Sequence, residues 1–427
     1  ANADLQALYM PERISGEWTG TMTLTELDAG SDVDALSCKD EPQAEGSYKI
    51  AGQKIFITCG EHDVAENICH LVLARLPGAK PGPKGISLFL VPKFIPNSDG
   101  SLGVRNDLRC VSLEHKLGIH GSPTAVMEFS GATGWLVGEE NNGMACMFTM
   151  MNNARLAVGM QGVGVAEGAY QHALVYAMDR KQGRSPIADG TGTIIDHADV
   201  RRMLAQMKAD IFAARSIGVA CAIAIDMAKA TGDADWQARA ALLTPIAKSF
   251  GSDTGGAVAD LGVQIHGGMG FVEETAAAQY LRDARITPIY EGTNGIQSMD
   301  LVARKMMDGG AAAFALMDDM AALASASNSD LAKAVLAAIK QLRATTEWLV
   351  SQELNERFAG SVAYQKAFAR VLGGYFHLVA SMSGQSKRQR LARVYINSLL
   401  PETASLCTQA QAGAADLYAL ELDDFAA

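Results

Sequence analysis

Residues 203–214 read Met203-Leu-Ala-Gln-Met207-Lys-Ala-Asp-Ile211-Phe-Ala-Ala214. Met203, Met207, Ile211 and Ala214 recur every three or four residues, the period of one face of an α-helix. Ala, Leu and Met are strong helix formers, and Met fills gaps in helical cores, so these residues read as packing. The same period runs from about Asn141 to the end of the sequence, where Pro nearly disappears. It is expected to break at Asp189-Gly190-Thr191-Gly192, at Gly251 to Gly256 and at Asp308-Gly309-Gly310, after which a further Ala-rich helical segment follows.

Upstream of Asn141 the period is different. Short β-rich runs, Trp18 to Thr25, Tyr48 to Ala51, Lys54 to Thr58, Ile68 to Leu76, Ile86 to Val91 and Ala125 to Phe129, alternate with turn signals such as PGAKPGPKG. A small domain of meandering strands is expected there. The fold class is therefore α+β: a remnant at 1–15, a β-barrel-like domain at 16–139, a long-helix bundle at 140–310 and a C-terminal helical extension at 311–427.

A length of 427 residues suits two or three domains, and 48% apolar with 19% charged residues is a globular balance. The charge of −11 disfavours nucleic acid or an anionic membrane as the main partner. Anionic ligands must then be held by local Arg residues or helix N-termini. The seven cysteines are odd in number, scattered and without a CxxC pair, which suits a reducing cytoplasm. Cys59, His62 and Cys69 lie close together but lack a second half-site, so no metal is expected. The longest apolar run, Ile211 to Ile225, is interrupted by Arg215 and is short for a bilayer, so no membrane insertion is expected. No secretory signal opens the sequence.

Four patterns bear on chemistry. Leu24-Thr25-Glu26-Leu27-Asp28-Ala29-Gly30-Ser31-Asp32 ends a strand in a polar turn, which reads either as an ordinary turn or as one aiming N–H groups and hydroxyls at an anion. Lys54-Ile55-Phe56-Ile57-Thr58 puts an aromatic and a hydroxyl on one strand face, able to cover a flat ring or simply half-buried. Gln264-Ile265-His266-Gly267-Gly268-Met269-Gly270-Phe271 allows close backbone approach to a ligand or a tight interhelical turn; no strand precedes it, so it is not a dinucleotide fingerprint. Tyr290-Glu291-Gly292-Thr293-Asn294-Gly295-Ile296-Gln297 sets a carboxylate in an apolar, Gly-rich loop, either as a solvated residue or as a base strengthened by desolvation.

Taken together, in this order and spacing, the patterns resemble the acyl-CoA dehydrogenase family of flavoenzymes over roughly residues 10 to 310. Lys116 to Thr124 and the extension beyond about Gly310 resemble the branch that includes 3-methylmercaptopropionyl-CoA dehydrogenases. The resemblance implies FAD-dependent α,β-dehydrogenation of an acyl-CoA thioester. Glu291 stands at the position of the base that removes the α-proton while the β-hydrogen leaves as hydride to flavin N5. The family stabilises the enolate-like oxygen with the backbone N–H of that Glu and a flavin ribityl hydroxyl, each such donor being worth about 2.7–4 kcal/mol.

By the same resemblance, Leu24, Thr25, Phe56 and Thr58 meet the flavin ring and Ser31 the pyrophosphate or substrate. Phe56 stands where the family usually has Trp. Arg180, Gln264, Gly267 and Gly268 match residues that bind FAD across a dimer interface, with Thr293 and Gln297 closing the site. Asn152, where the family commonly has Asp, and Arg155 match a polar pair that opens a helix from Asn153 to Ala177 and meets CoA; Tyr290 and Gly292 flank the base on the substrate side. The implied partners are an acyl-CoA, an electron-transfer flavoprotein and a second subunit, in a homodimer or dimer-based tetramer. An acyl-CoA oxidase, or a non-catalytic helical module keeping the fold, are the alternatives. The family carries a sizeable helical domain before the β-domain, where this sequence has about fifteen residues. The chain is accordingly read as part of a longer protein, expected to hold FAD weakly without that domain.

Overall fold

A computed structural model describes residues 3–187 and 189–426, and the chain divides into two compact units, 1–152 and 153–427. The first opens with helix α1 (Ala3–Ser15), whose Tyr9 ring packs edge-on against Trp18 at 5.8 Å. Among the described residues nine strands follow: β1 (Trp18–Thr23), β2 (Lys39–Pro42), β3 (Tyr48–Thr58), β4 (Asn67–Ala74), β5 (Ser87–Pro92), β6 (Phe94–Pro96), β7 (Leu102–Arg105), β8 (Leu108–Leu113) and β9 (Thr124–Leu136). The main sheet runs β1-β4-β5-β9-β3-β2, with β8 added to β9 and β6 and β7 forming a separate pair.

Two features correct the meander expected from sequence. β1 pairs with β4 in parallel. The runs Tyr48–Ala51 and Lys54–Thr58 form one strand, because Gly52 and Gln53 keep their pairing with β9 across a register shift. A bridge from Lys39 to Arg75, just past the end of β4, joins the β2 edge back to the sheet, which gives the expected barrel-like closure. Ile50, Ile57, Val72, Leu73, Phe89, Val91 and Phe129 fill the interior, together with Met147 from the next helix.

That helix, α2 (Gly143–Asp179), begins well before Asn153. Its first turns bury Met147 in the β-unit core, so the apolar period is continuous through Asn152 and Asn153. Arg155 therefore lies inside the helix and does not open it.

In the second unit α2 continues beside α3 (Ala198–Thr231) and α4 (Ala234–His266). The break expected at Gly251 to Gly256 is absent: α4 runs straight through. The glycines serve a close crossing of α2 and α4. A Cβ on Gly251 would stand 2.3 Å from the Gly159 carbonyl oxygen, and one on Gly162 2.4 Å from that of Gly251. On α3, Met203, Met207, Ile211 and Ala214 are all buried, as their spacing predicts. Contrary to the sequence expectation, α3 is long and apolar enough to cross a bilayer by length and composition alone. It carries the buried Asp210, paired with Arg370 of a later helix.

Short helices α5 (Ala277–Ala284) and α6 (Asn294–Val302) follow. Asp308-Gly309-Gly310 then breaks the chain with two left-handed glycines, and α7 (Ala311–Ser325), α8 (Asp330–Ser351), α9 (Leu354–Ser381), α10 (Ser386–Val394), α11 (Glu402–Ala410) and the one-turn α12 (Ala415–Tyr418) follow. Arg370 on α9 also binds Glu402 of α11 at 2.6 Å, so one guanidinium ties α3, α9 and α11 together.

Candidate active site

The turn between α5 and α6 carries the candidate base. It is closed by the Asn294 N–H donating to the Pro288 carbonyl at 3.0 Å, and Thr293 caps α6 by accepting from the Ile296 N–H. Within it Glu291 has φ 55° and Gly292 φ 78°. A non-glycine residue in the left-handed region costs about 1–3 kcal/mol, and such strain persists where surroundings enforce it. Gly292 is required twice over, by its φ and because a Cβ there would stand 2.5 Å from Gln297 Nε2.

Burial pushes the Glu291 carboxyl above its ordinary value, while the Lys248 ammonium and the Arg155 guanidinium pull it down. A carboxyl tuned upward in this way suits proton abstraction near neutral pH. Tyr290 donates its hydroxyl hydrogen to Gln161 Oε1 on α2, fixing the residue before the base.

Arg155 is buried, 6% exposed, and its Nη1 lies 3.8 Å from Asp300 Oδ2 on α6. Gln297 is fully buried: its Nε2 donates to the Gly292 carbonyl at 3.3 Å, and its Oε1 has no hydrogen-bond partner among the described residues. Arg155, Tyr290, Glu291, Gly292, Thr293 and Gln297 thus form one cluster. Asn152 is exposed on α2, three residues before Arg155.

Arg180 follows the end of α2, Gln264 lies in the last turn of α4, and Gly267 and Gly268 come just after it. The Tyr176 and His266 rings, 4.4 Å apart, bring these two helix ends together. Gly267 has φ 60°, and neither it nor Gly268 has any atom within 4 Å of where a Cβ would stand, so the loop is open to close approach. His266 Nε2 and His172 Nδ1 beside it are buried without partners among the described residues.

In the β-unit the Ile55 N–H donates to the Thr25 carbonyl at 2.9 Å, so the Leu24-Thr25 turn and the Lys54–Thr58 segment are neighbours. Phe56 sits at a register shift with φ 59°, is 59% exposed, and shares the open surface with Thr58. Ser31 is exposed in its turn. The fully buried Lys54 locks this arrangement, donating to the Leu24 carbonyl, the Leu73 carbonyl and Glu26 Oε1 at 3.0, 2.7 and 2.8 Å.

Lys54, Glu26 and Lys248 were not singled out from sequence. A lysine within a strand or helix pattern reads as solvated, and only the packing shows it buried.

With that geometry in place, the chain belongs to the acyl-CoA dehydrogenase family. Residues 21–132 match the family's middle domain, 141–307 its C-terminal domain, and 313–421 the acetyl-CoA dehydrogenase C-terminal-like domain. It is 49% identical over 376 residues to 3-methylmercaptopropionyl-CoA dehydrogenase of Ruegeria pomeroyi, covering 84% of this chain and 64% of that protein. It is 31% identical over 315 residues to an acyl-CoA dehydrogenase of Bacillus subtilis, covering 72% of this chain and 73% of that one. In fold it resembles the crystal structure of an acyl-CoA dehydrogenase from Bacillus anthracis complexed with FAD, at a TM-score of 0.78 and 23% identity, over 99% of this chain and 73% of that one. The chain spans less than two thirds of the length of the Ruegeria enzyme, and about half that of butyryl-CoA dehydrogenases of Syntrophomonas wolfei.

Proposed function

We propose that the protein to which this chain belongs is an FAD-dependent acyl-CoA dehydrogenase in which Glu291 removes the α-proton of the thioester. The observation that carries this reading is Glu291 itself: a carboxylate held in a left-handed turn and raised by burial, against the pull of Lys248 and Arg155. A thioester α-proton is a weak acid, so a base must be both desolvated and fixed to take it.

The residues present fit FAD. The open Gly267-Gly268 loop admits close backbone approach, and His266 Nε2 and Gln297 Oε1 offer buried polar atoms in want of partners. In the helical unit, Arg180, Gln264, Gly267, Gly268, Thr293 and Gln297 would hold the cofactor; taken by itself, the β-unit offers Leu24, Thr25, Ser31, Phe56 and Thr58 as its proposed flavin contacts. The chemistry FAD supplies when bound is two-electron oxidation of the Cα–Cβ bond. Tyr290 and Gly292 are the proposed substrate-side residues, the Glu291 N–H would stabilise the developing thioester oxyanion, and the exposed Asn152, with the buried Arg155 that follows it, is the proposed CoA pair.

For the substrate we propose a short thioester of the 3-methylmercaptopropionyl-CoA kind, supported by the 49% identity to the Ruegeria enzyme. An electron-transfer flavoprotein is the proposed acceptor, and a dimer or dimer-based tetramer the proposed assembly, because Arg180 and Gly267-Gly268 lie open on one end of the bundle. A reducing compartment such as the cytoplasm suits the free thiols.

The test is a visible spectrum of the full-length protein purified with FAD, followed by anaerobic addition of 3-methylmercaptopropionyl-CoA. Bleaching of the flavin bands supports a dehydrogenase. Rapid recolouring in oxygen would favour an oxidase, and absence of flavin a non-catalytic module.

A further inference from the structure

Lys248 lies in the middle of α4 with its side chain fully buried. Its Nζ donates to Asn294 Oδ1 at 2.9 Å. Asn294 is the first residue of α6, three beyond Glu291, and its Nδ2 donates to Asp253 Oδ1 at 2.7 Å and Ser252 Oγ at 3.0 Å on α4. The backbone N–H of the same Asn294 closes the Glu291 turn on Pro288. One side chain thus joins α4 to the turn through both its main chain and its amide.

We propose that Lys248 is the positioning residue of the base: its hydrogen bond to Asn294, whose N–H closes the Glu291 turn, fixes that turn from α4. This rests on the reading of Glu291 as the base, whose turn Lys248 reaches through the Asn294 side chain.

An ammonium in a helix interior needs a reason, since burying it unpaired costs several kcal/mol, on the order of the penalty for an isolated ion. Asn294 gives it a neutral acceptor only. The negative charges that face it are Asp253 on its own helix and Glu291 on the turn, and Arg155 from α2 opposes it. Asp253 is shared with Lys366 of α9 and Arg285, and Arg155 is faced by Asp300 and Arg304. Burial pushes Lys248 down to about 8, with Asp253 and Glu291 raising it. The coupling is reciprocal: Lys248 lowers Glu291 as Glu291 raises Lys248.

Two measurements test this separately. In protein labelled with 13Cε-lysine, one resonance should titrate near 8, vanish in Lys248→Gln, and titrate lower in Glu291→Gln because the negative charge is gone. This holds whether or not any acyl-CoA is oxidised, so its failure is distinct from failure of the proposed reaction. In the FAD-loaded full-length enzyme, Lys248→Met should move the acid limb of single-turnover flavin bleaching up by about one pH unit, a tenfold slower reaction below the limb. Lys248→Gln keeps a donor to Asn294 and should show the same shift. Asn294→Ala keeps the charge and should slow bleaching several-fold without moving the limb. An unshifted limb in a folded Lys248→Gln, or a Lys248 titration indifferent to Glu291→Gln, would overturn the proposal.

Discussion

Lys54 Nζ and Glu26 Oε1 face each other at 2.8 Å in the interior of the β-unit, with the Glu26 carboxylate also accepting from the Ser37 N–H and hydroxyl and the Cys38 N–H. The pair anchors the Thr25 turn to the strand that bears Phe56. Removing one partner strands the other charge, so Lys54→Met is expected to lower stability by about 3–5 kcal/mol, and Lys54→Met with Glu26→Leu by much less. Although burial pushes Glu26 up, Lys54 and the Ser37 hydrogen bonds hold it below its ordinary 4.5. A depressed carboxyl stabilises the fold above 4.5 and loses that contribution as pH falls through the lower folded value. Denaturant titrations between neutral pH and pH 3, roughly the range in which carboxylates protonate, should show this loss in wild type and little of it in the double variant.

Glu291 has the opposite sign. Its pKa is raised in the folded protein by burial, so the native state holds the proton more tightly than the unfolded chain. Its ionisation costs stability that accumulates as pH rises from the ordinary 4.5 through the folded value. Glu291→Gln is therefore expected to melt higher than wild type at neutral pH while losing dehydrogenation by at least about 10²–10⁴-fold. Thermal unfolding and anaerobic bleaching on the same preparations check both halves.

The glycines of α4 should split by their surroundings. Gly251 faces the α2 backbone at 2.3 Å from a Cβ position, so Gly251→Ala must push two helices apart and should cost about 1–3 kcal/mol or more. Gly256 has nothing within 4 Å, and Gly256→Ala should stabilise the helix by about 0.5–1 kcal/mol. Chemical denaturation of the two variants would settle the contrast.

Phe56 combines a φ of 59° with 59% exposure. Its ring adds little to the core and its backbone conformation suits Gly, so Phe56→Gly should leave the melting temperature unchanged or raised. If the ring stacks on the flavin, the same variant should weaken FAD binding by about three- to tenfold, from a stacking contribution of roughly 0.5–1.5 kcal/mol. Fluorescence titration with FAD reads this.

The change of period near Asn141 and the spacing of the four patterns made the two-part fold and the Glu291 turn legible in sequence. Strand β8 leaves no clear period because its solvent-facing Val111 and Leu113 blur the alternation, and β6 and β7 leave almost none because the pair is so short. α2 starts ten residues before the Asn153 that the resemblance implies and close to the change of period at Asn141, because Met147 already packs inward. Gly251 to Gly256 read as a break because a close helix crossing and a turn ask for the same residue. The buried lysines left no trace. Charge at a helical or β position looks solvated until another element covers it, and Lys248 is covered by residues more than forty positions away.

The claim that Glu291 is the base is tested most directly by proton exchange. The FAD-loaded full-length protein, incubated in D2O with acetyl-CoA, meets a thioester that has α-protons and no β-carbon to oxidise. Deuterium should enter the α-position of the recovered acetyl-CoA with wild type, and at no more than the uncatalysed rate with Glu291→Gln. Equal incorporation by the two proteins would contradict it.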